Sequence, residues 1–167
     1  MMNIVLIGFM GSGKTTVGEA LSEKCGREFL DTDALIEAEE GRKISEIFAK
    51  EGEGHFRTLE NATLRSLLES EDKIISTGGG IVTSVDNRKL LKDAGRVVYL
   101  RVKPETVVKR LEGDESRPLL KGDDKLSKVE NLLSSRKAMY EDAADIIIDV
   151  DYLLVEEIVG LIVKDFA

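Results

Sequence analysis

Residues 8–15 read Gly8-Phe9-Met10-Gly11-Ser12-Gly13-Lys14-Thr15, a complete match to G-x-x-x-x-G-K-[ST]. The pattern dictates structure on both sides of itself. A short buried strand must feed it and a helix must leave it. Ile4-Val5-Leu6-Ile7 is the apolar run ahead of it, and Thr16-Val17-Gly18-Glu19-Ala20-Leu21-Ser22-Glu23-Lys24 continues behind it at helical spacing. Glycines let successive N–H groups turn inward, and the start of the helix adds free N–H groups and a positive dipole end. Together they form a cradle for phosphate oxygens. Lys14 is placed to reach β- and γ-phosphates, and Thr15 to offer its hydroxyl to Mg²⁺. The plainer alternative is a glycine-rich turn before a helix. The motif specifies binding of a nucleoside triphosphate, but it does not separate kinase, GTPase, motor and transporter subunit.

The chain has 167 residues, 42% apolar and 34% charged, which suits one globular domain over 1–167 with a two-sided core. No apolar run approaches the ~20 residues of a membrane span, and the chain enters its first strand with no signal peptide ahead. Cys25 is the single cysteine. It excludes an internal disulfide framework, fits a reducing, cytoplasmic setting, and is expected to be a small core residue. The net charge of −8 argues against nucleic-acid binding, which needs a basic face. The cations that bind an anionic ligand must therefore be few and convergent. Neither membrane nor nucleic acid is expected as a partner, and a monomer is expected.

Strand-like and helical segments alternate. Glu28-Phe29-Leu30-Asp31 is short and extended. Residues 33–40 read as a helix stopped by Gly41, and 44–50 and 53–70 as two more. Lys73–Ser76 is a buried strand broken by Gly78-Gly79-Gly80. A helix over 84–93, a strand over Arg96–Val102 and a helix opening at Pro104 follow. Residues 112–124 lack any period and read as a functional, mobile lid. A helix over 125–143, a strand at Ile146–Ile148 and a helix over 153–165 close the chain. The alternation predicts an α/β fold with a parallel sheet and helices on both faces. Ligands on such sheets bind beyond the strands' C-terminal ends.

Asp31-Thr32-Asp33 puts two carboxylates on one side of an extended segment. Either Thr32 or Asp33 caps the next helix, or the pair serves phosphoryl transfer, one on the metal's water shell and one on an acceptor hydroxyl. Arg57 and Glu60 stand at i, i+3, which is most often a surface ion pair. Arg136, four residues before Tyr140, sits on a helix, where arginines are most often solvated. Arg117 lies in the irregular segment, where a cation could close over a phosphate. Three consecutive glycines cost backbone entropy, which suits close approach of a ligand, with a tight turn as the alternative. His55, the one histidine, reads as a rim residue.

Taken in order, these motifs resemble shikimate kinase: G-F-M-G-S-G-K-T at 8–15, D-T-D at 31–33, F-R-x-x-E at 56–60, G-G-G at 78–80, R-P-L-L at 117–120 and R-x-x-x-Y at 136–140. The resemblance implies a P-loop kinase-type fold with a five-stranded parallel sheet, a lid, and substrate-binding helices over 33–61. It implies transfer of the γ-phosphoryl of ATP to the 3-hydroxyl of shikimate, with Mg²⁺, on the route to aromatic amino acids. Gly11, Ser12, Gly13, Lys14, Thr15 and Thr16 would hold ATP, with Arg117 over the phosphates and Arg110 near the adenine. Thr15 and Asp31 would support the metal. Asp33 would orient the acceptor hydroxyl, Arg57 and Arg136 would grip the carboxylate, and Glu60 would position Arg57. The Gly78–Gly80 run would face the ring through Gly79, with Phe48 and Phe56 as walls. The stretch 149–153 departs from expectation, lacking the polar set of an adenine site. Two other readings remain: a gluconate- or nucleotide-type kinase, and a nucleotide switch. The switch lacks the N-K-x-D guanine motif.

Overall fold

The computed structural model describes residues 2–112 and 124–166. Arg117 and the body of the expected lid lie outside the described residues. Five strands form one parallel sheet in the order β2-β3-β1-β4-β5. They are β1 (Asn3–Ile7), β2 (Glu28–Asp31), β3 (Lys73–Ser76), β4 (Gly95–Arg101) and β5 (Ile146–Asp149). The helices are α1 (Lys14–Cys25), α2 (Thr32–Glu40), α3 (Ile44–Leu67), α4 (Val85–Ala94), α5 (Pro104–Arg110), α6 (Lys125–Ala143) and α7 (Val155–Asp165).

Every residue of β1 is buried, as a central strand covered on both faces requires. Its Val5 and Leu6 pair with Ile75 and Ser76 of β3 and with Val97 and Val98 of β4. The chain leaves β1 for the glycine loop with β3 on one side and β4 on the other, so the loop opens at the centre of the sheet's C-terminal edge. α1 packs with α7, and α4 with α6, around this layer. One cluster spans the sheet and these helices. A smaller one, Ile36, Ile47 and Phe56, knits α2 to α3.

Most expected elements stand where the residue pattern put them. The helices expected at 44–50 and 53–70 form one segment ending at Leu67, kinked at Gly52, whose φ of 83° and ψ of 175° interrupt the helical path. Cys25 is exposed rather than in the core. It is the last residue of α1, on the same face as the buried Gly18 and Leu21, but it borders an open recess with Ile4, Val163 and Phe166. Among the described residues no helix is long and apolar enough to cross a membrane.

Candidate active site

Gly11 and Gly13 have φ of 78° and 94°, a left-handed conformation that a side chain would strain. They wind the loop so that Gly13 caps α1, and Val17 N–H donates to Gly13 O at 2.9 Å. Lys14 folds back over the loop, with Nζ donating to Gly8 O at 2.6 Å and Phe9 O at 3.1 Å. Thr15 and Thr16 are exposed at the mouth. Ser12 Oγ is buried with no hydrogen-bond partner among the described residues.

A cavity of about 240 Å³ joins this loop to the ends of β2 and β3. Gly11, Gly13, Lys14, Thr15 and Thr16 line one side, and Asp31, Asp33, Gly78 and Gly79 the other. The cap of α2 is neither Thr32 nor Asp33 but Asp31, whose Oδ1 accepts from the N–H groups of Asp33 (2.8 Å) and Ala34 (3.2 Å). Capping pins Asp31 at the end of β2, opposite Ser76 of β3. It also leaves the Asp33 carboxylate to stand beside the glycine run.

Each of the three glycines faces a different charged side chain. A Cβ on Gly78 would lie 2.8 Å from Asp33 Oδ1 and 2.9 Å from Glu60 Oε2, and one on Gly80 would overlap the Arg57 guanidinium. A Cβ on Gly79 would come within 3.9 Å of Arg136 Nη1. Gly78 and Gly80 have no room for a side chain beside these charges, and the run makes a tight turn packed against α3, closed by Ile81 N–H donating to Gly78 O. Arg57 Nη1 donates to Glu60 Oε1 at 2.6 Å, and Glu60 is fully buried. This pair is no surface ion pair. Arg57 also lies against the Phe56 ring, which packs on Phe48 with centroids 4.9 Å apart. Arg136 is 5% exposed, far from solvated, with its guanidinium carbon 5.8 Å from the Phe9 ring centre. Glu60 Oε2 and Arg57 Nε have no hydrogen-bond partner among the described residues, so the site holds unspent polarity that a ligand could satisfy.

Arg110 lines an adjoining recess of about 250 Å³ together with Gly11, Ser12, Thr16, Leu153 and Val155. Its Nη1 donates to Gly11 O at 2.8 Å. The stretch after β5 thus meets the loop through apolar side chains. This apolar contact accords with the lack, at 149–153, of the polar or basic set expected around an adenine. A separate cavity of about 350 Å³ between α5, α6 and the ends of β4 and β5 shares no residue with the loop. His55 pairs with Glu51 at 2.6 Å on the surface. Tyr140 is the contribution the residue pattern left without a role: its hydroxyl donates to Gly79 O. The i, i+4 spacing to Arg136 was the available signal, since both must then share one helix face.

Burial pushes the Glu60 carboxyl up to about 7, with Arg57 opposing the shift. A carboxyl raised above its unfolded value favours folding at low pH, and that contribution is lost as pH rises through the folded value. The empty protein is therefore expected to lose stability between about pH 4.5 and pH 7, by at most ~3 kcal/mol from this group. Glu60→Gln should flatten that part of the profile. Urea midpoints at pH 5 and pH 8 measure it, and an unaltered slope in the variant would refute the assignment.

A phosphate loop at the head of a parallel β2-β3-β1-β4-β5 sheet, with Asp31 and Asp33 across a cavity from it, defines an α/β protein of the P-loop kinase class. The family model for shikimate kinase matches residues 10–167. The chain belongs to the shikimate kinase family. It is 45% identical over 166 residues to the shikimate kinase of Persephonella marina, covering 97% of this chain and 99% of that one. It is 48% identical over 149 residues to that of Moorella thermoacetica, covering 89% and 85%. The shikimate kinase of Acinetobacter baumannii, solved in complex with shikimate, superposes with a TM-score of 0.94 at 40% identity, covering 99% of this chain and 93% of that one. That of Aquifex aeolicus gives 0.85 at 38% identity, covering 99% and 96%.

Proposed function

We propose that this chain transfers the γ-phosphoryl group of ATP to the 3-hydroxyl of shikimate, releasing shikimate 3-phosphate and ADP. The observation that carries the reading is the gathering of Asp33, Glu60, Arg57 and Arg136 around Gly78–Gly80, one cavity wall away from Lys14.

The pocket's charges suit a small carboxylated polyol. Arg57 and Arg136 offer two planar forks to one carboxylate. Glu60 holds the Arg57 fork in place and offsets its charge, leaving that of Arg136 to face the substrate carboxylate. Asp33 accepts a hydrogen bond from the reacting hydroxyl and aims its oxygen at the γ-phosphorus, taking the proton as the new bond forms. The Gly78–Gly80 backbone contacts the ring's substituents, and Phe48 and Phe56 exclude water on the α3 side. On the nucleotide side, backbone N–H groups of 11–16 cradle the phosphates and Lys14 neutralises them. Arg110, Leu153 and Val155 wall the adenine, and Arg117 is assigned to the transferring group.

The residues present fit ATP and Mg²⁺. The left-handed Gly11 and Gly13, the buried Ser12 hydroxyl without a partner among the described residues and the exposed Thr15 hydroxyl form a donor-rich cradle. Thr15 would hold the ion directly and Asp31 through water. Mg²⁺ supplies neutralisation of phosphate charge. The same reading takes the chain as a single domain, monomeric and cytoplasmic.

ADP release coupled to NADH oxidation, with shikimate as sole acceptor, tests the function. Turnover is expected with shikimate and not with gluconate or nucleoside monophosphates. Nucleotide hydrolysis indifferent to shikimate would overturn the reading in favour of a switch.

A further inference from the structure

All three carbonyls of the glycine run are engaged. Gly78 O accepts from Ile81 N–H at 3.2 Å, Gly80 O from Thr83 N–H at 3.1 Å and Thr83 Oγ1 at 2.7 Å, and Gly79 O from the Tyr140 hydroxyl. The N–H groups of the same three residues donate to no backbone carbonyl among the described residues. The Gly78–Ile81 bond closes a four-residue turn with Gly79 and Gly80 at its centre. Gly80 has φ −99° and ψ 7°, the third-position geometry of a type I turn.

A type II turn spans the same four residues with the central peptide rotated, and it needs positive φ at the third position. That is a conformation glycine adopts freely. A Gly-Gly-Gly run by itself therefore leaves both turns open. The peptide that rotates carries Gly79 O and Gly80 N–H. No peptide bond here is cis, so these two groups point in opposite directions. Whatever holds the carbonyl also aims the N–H.

We propose that Tyr140 is a positioning residue that locks this turn: by holding Gly79 O it keeps the Gly80 N–H, beside the Arg57 guanidinium, presented to the acceptor substrate. The inference rests on the reading of this pocket as the shikimate site. Tyr140 is suited to the task in three ways. It is fully buried, and its ring stacks on Tyr99 of β4 with centroids 4.9 Å apart, so the central sheet sets the position of the hydroxyl. It lies one helical turn from Arg136, so a single stretch of α6 places both a carboxylate-binding guanidinium and the turn lock. Burial raises its phenol to about 12 although Arg136 pulls the other way, and the hydroxyl keeps its proton to donate. A rotated turn would replace the Gly80 N–H by the Gly79 carbonyl oxygen. A donor would become an acceptor facing an anion.

Tyr140→Phe keeps the ring and removes the lock. The expected result is a rise of about tenfold in the KM for shikimate, with the KM for ATP within twofold of wild type. In ¹H–¹⁵N spectra the Gly79 and Gly80 amides should broaden or double as the turn samples both forms. Tyr99→Phe, which removes the other hydroxyl of the stacked pair, should leave both KM values unchanged. A shikimate KM within twofold of wild type in Tyr140→Phe, or a uniform loss of kcat with sharp single Gly79 and Gly80 peaks, overturns the lock. If the wild-type chain does not turn over shikimate, the functional reading fails instead, and the glycine peaks of the variant still decide the lock. Should Tyr140→Phe not fold, the wild-type spectrum decides. A Gly80 amide that shifts on addition of shikimate supports the proposal, and one that stays in place overturns it.

Discussion

Lys14→Ala is expected to lower kcat about 10³-fold, the scale on which preorganised cations act in phosphoryl transfer. The charge that develops on the transferring group spreads over its equatorial oxygens, beside a cavity walled by the loop and by Asp31, Asp33, Gly78 and Gly79. A single ammonium there is worth far more than in solvent, because the local dielectric is low. Lys14 is also placed in advance. Its Nζ rests on the carbonyl oxygens of Gly8 and Phe9, at 2.6 and 3.1 Å, so little reorganisation is needed when nucleotide arrives. Removing it leaves the cradle's N–H groups in place, since the turn is set by Gly11 and Gly13 rather than by the lysine. Nucleotide affinity should thus fall less than turnover does. Steady-state rates at saturating ATP and shikimate, beside calorimetric nucleotide binding, measure the two effects. A near-normal kcat would exclude Lys14 from the chemistry.

Asp33→Asn should reduce kcat by ~10²–10³, the range of positioned acid–base groups, while the Kd for ATP stays within about threefold. Asparagine keeps the shape and an accepting oxygen but carries no charge and cannot take up a proton. The structure makes this a clean substitution, because the α2 cap is carried by Asp31 and not by Asp33. The helix should therefore keep its N-terminus, and thermal stability should change little. A helix-melting variant would instead lower ATP and shikimate turnover together with Tm. An Asp33→Asn enzyme with unchanged kcat and weakened ATP binding would move Asp33 from the acceptor side to the nucleotide side.

The loop at 8–15 was readable because its chemistry is local: glycines needing positive φ, a lysine, a hydroxyl, and the strand and helix that must flank them. The parallel sheet was readable because a strand buried on both faces is a continuous apolar run. Asp31 shows where local reading slips. Capping by any of three adjacent residues looks alike in sequence, and backbone geometry at the end of β2 chose the first. Cys25 slipped for a related reason, since a residue on the buried face of a helix can still lie beyond the cover at the helix's end.

Glu60 and Arg136 mark the deeper limit. By sequence each is an ordinary helical charge, and the expectation for such residues is solvent. In the folded chain Glu60 is fully buried against Arg57, and Arg136 is 5% exposed beside Phe9 and Gly79. Tyr140 and Gly79, joined by a hydrogen bond, are 61 residues apart. The amino-acid order alone determined the phosphate loop, the succession of strands and helices, and the residue types available to the pocket. All of these follow from periodicity and backbone preference over a few neighbours. Only the tertiary structure decided which charges are stripped of water and which glycine carbonyl is held. Desolvation and Coulomb energy depend on what surrounds a group in space, and those surroundings are drawn from α2, α3, α6 and the ends of β1 and β3, segments far apart along the chain.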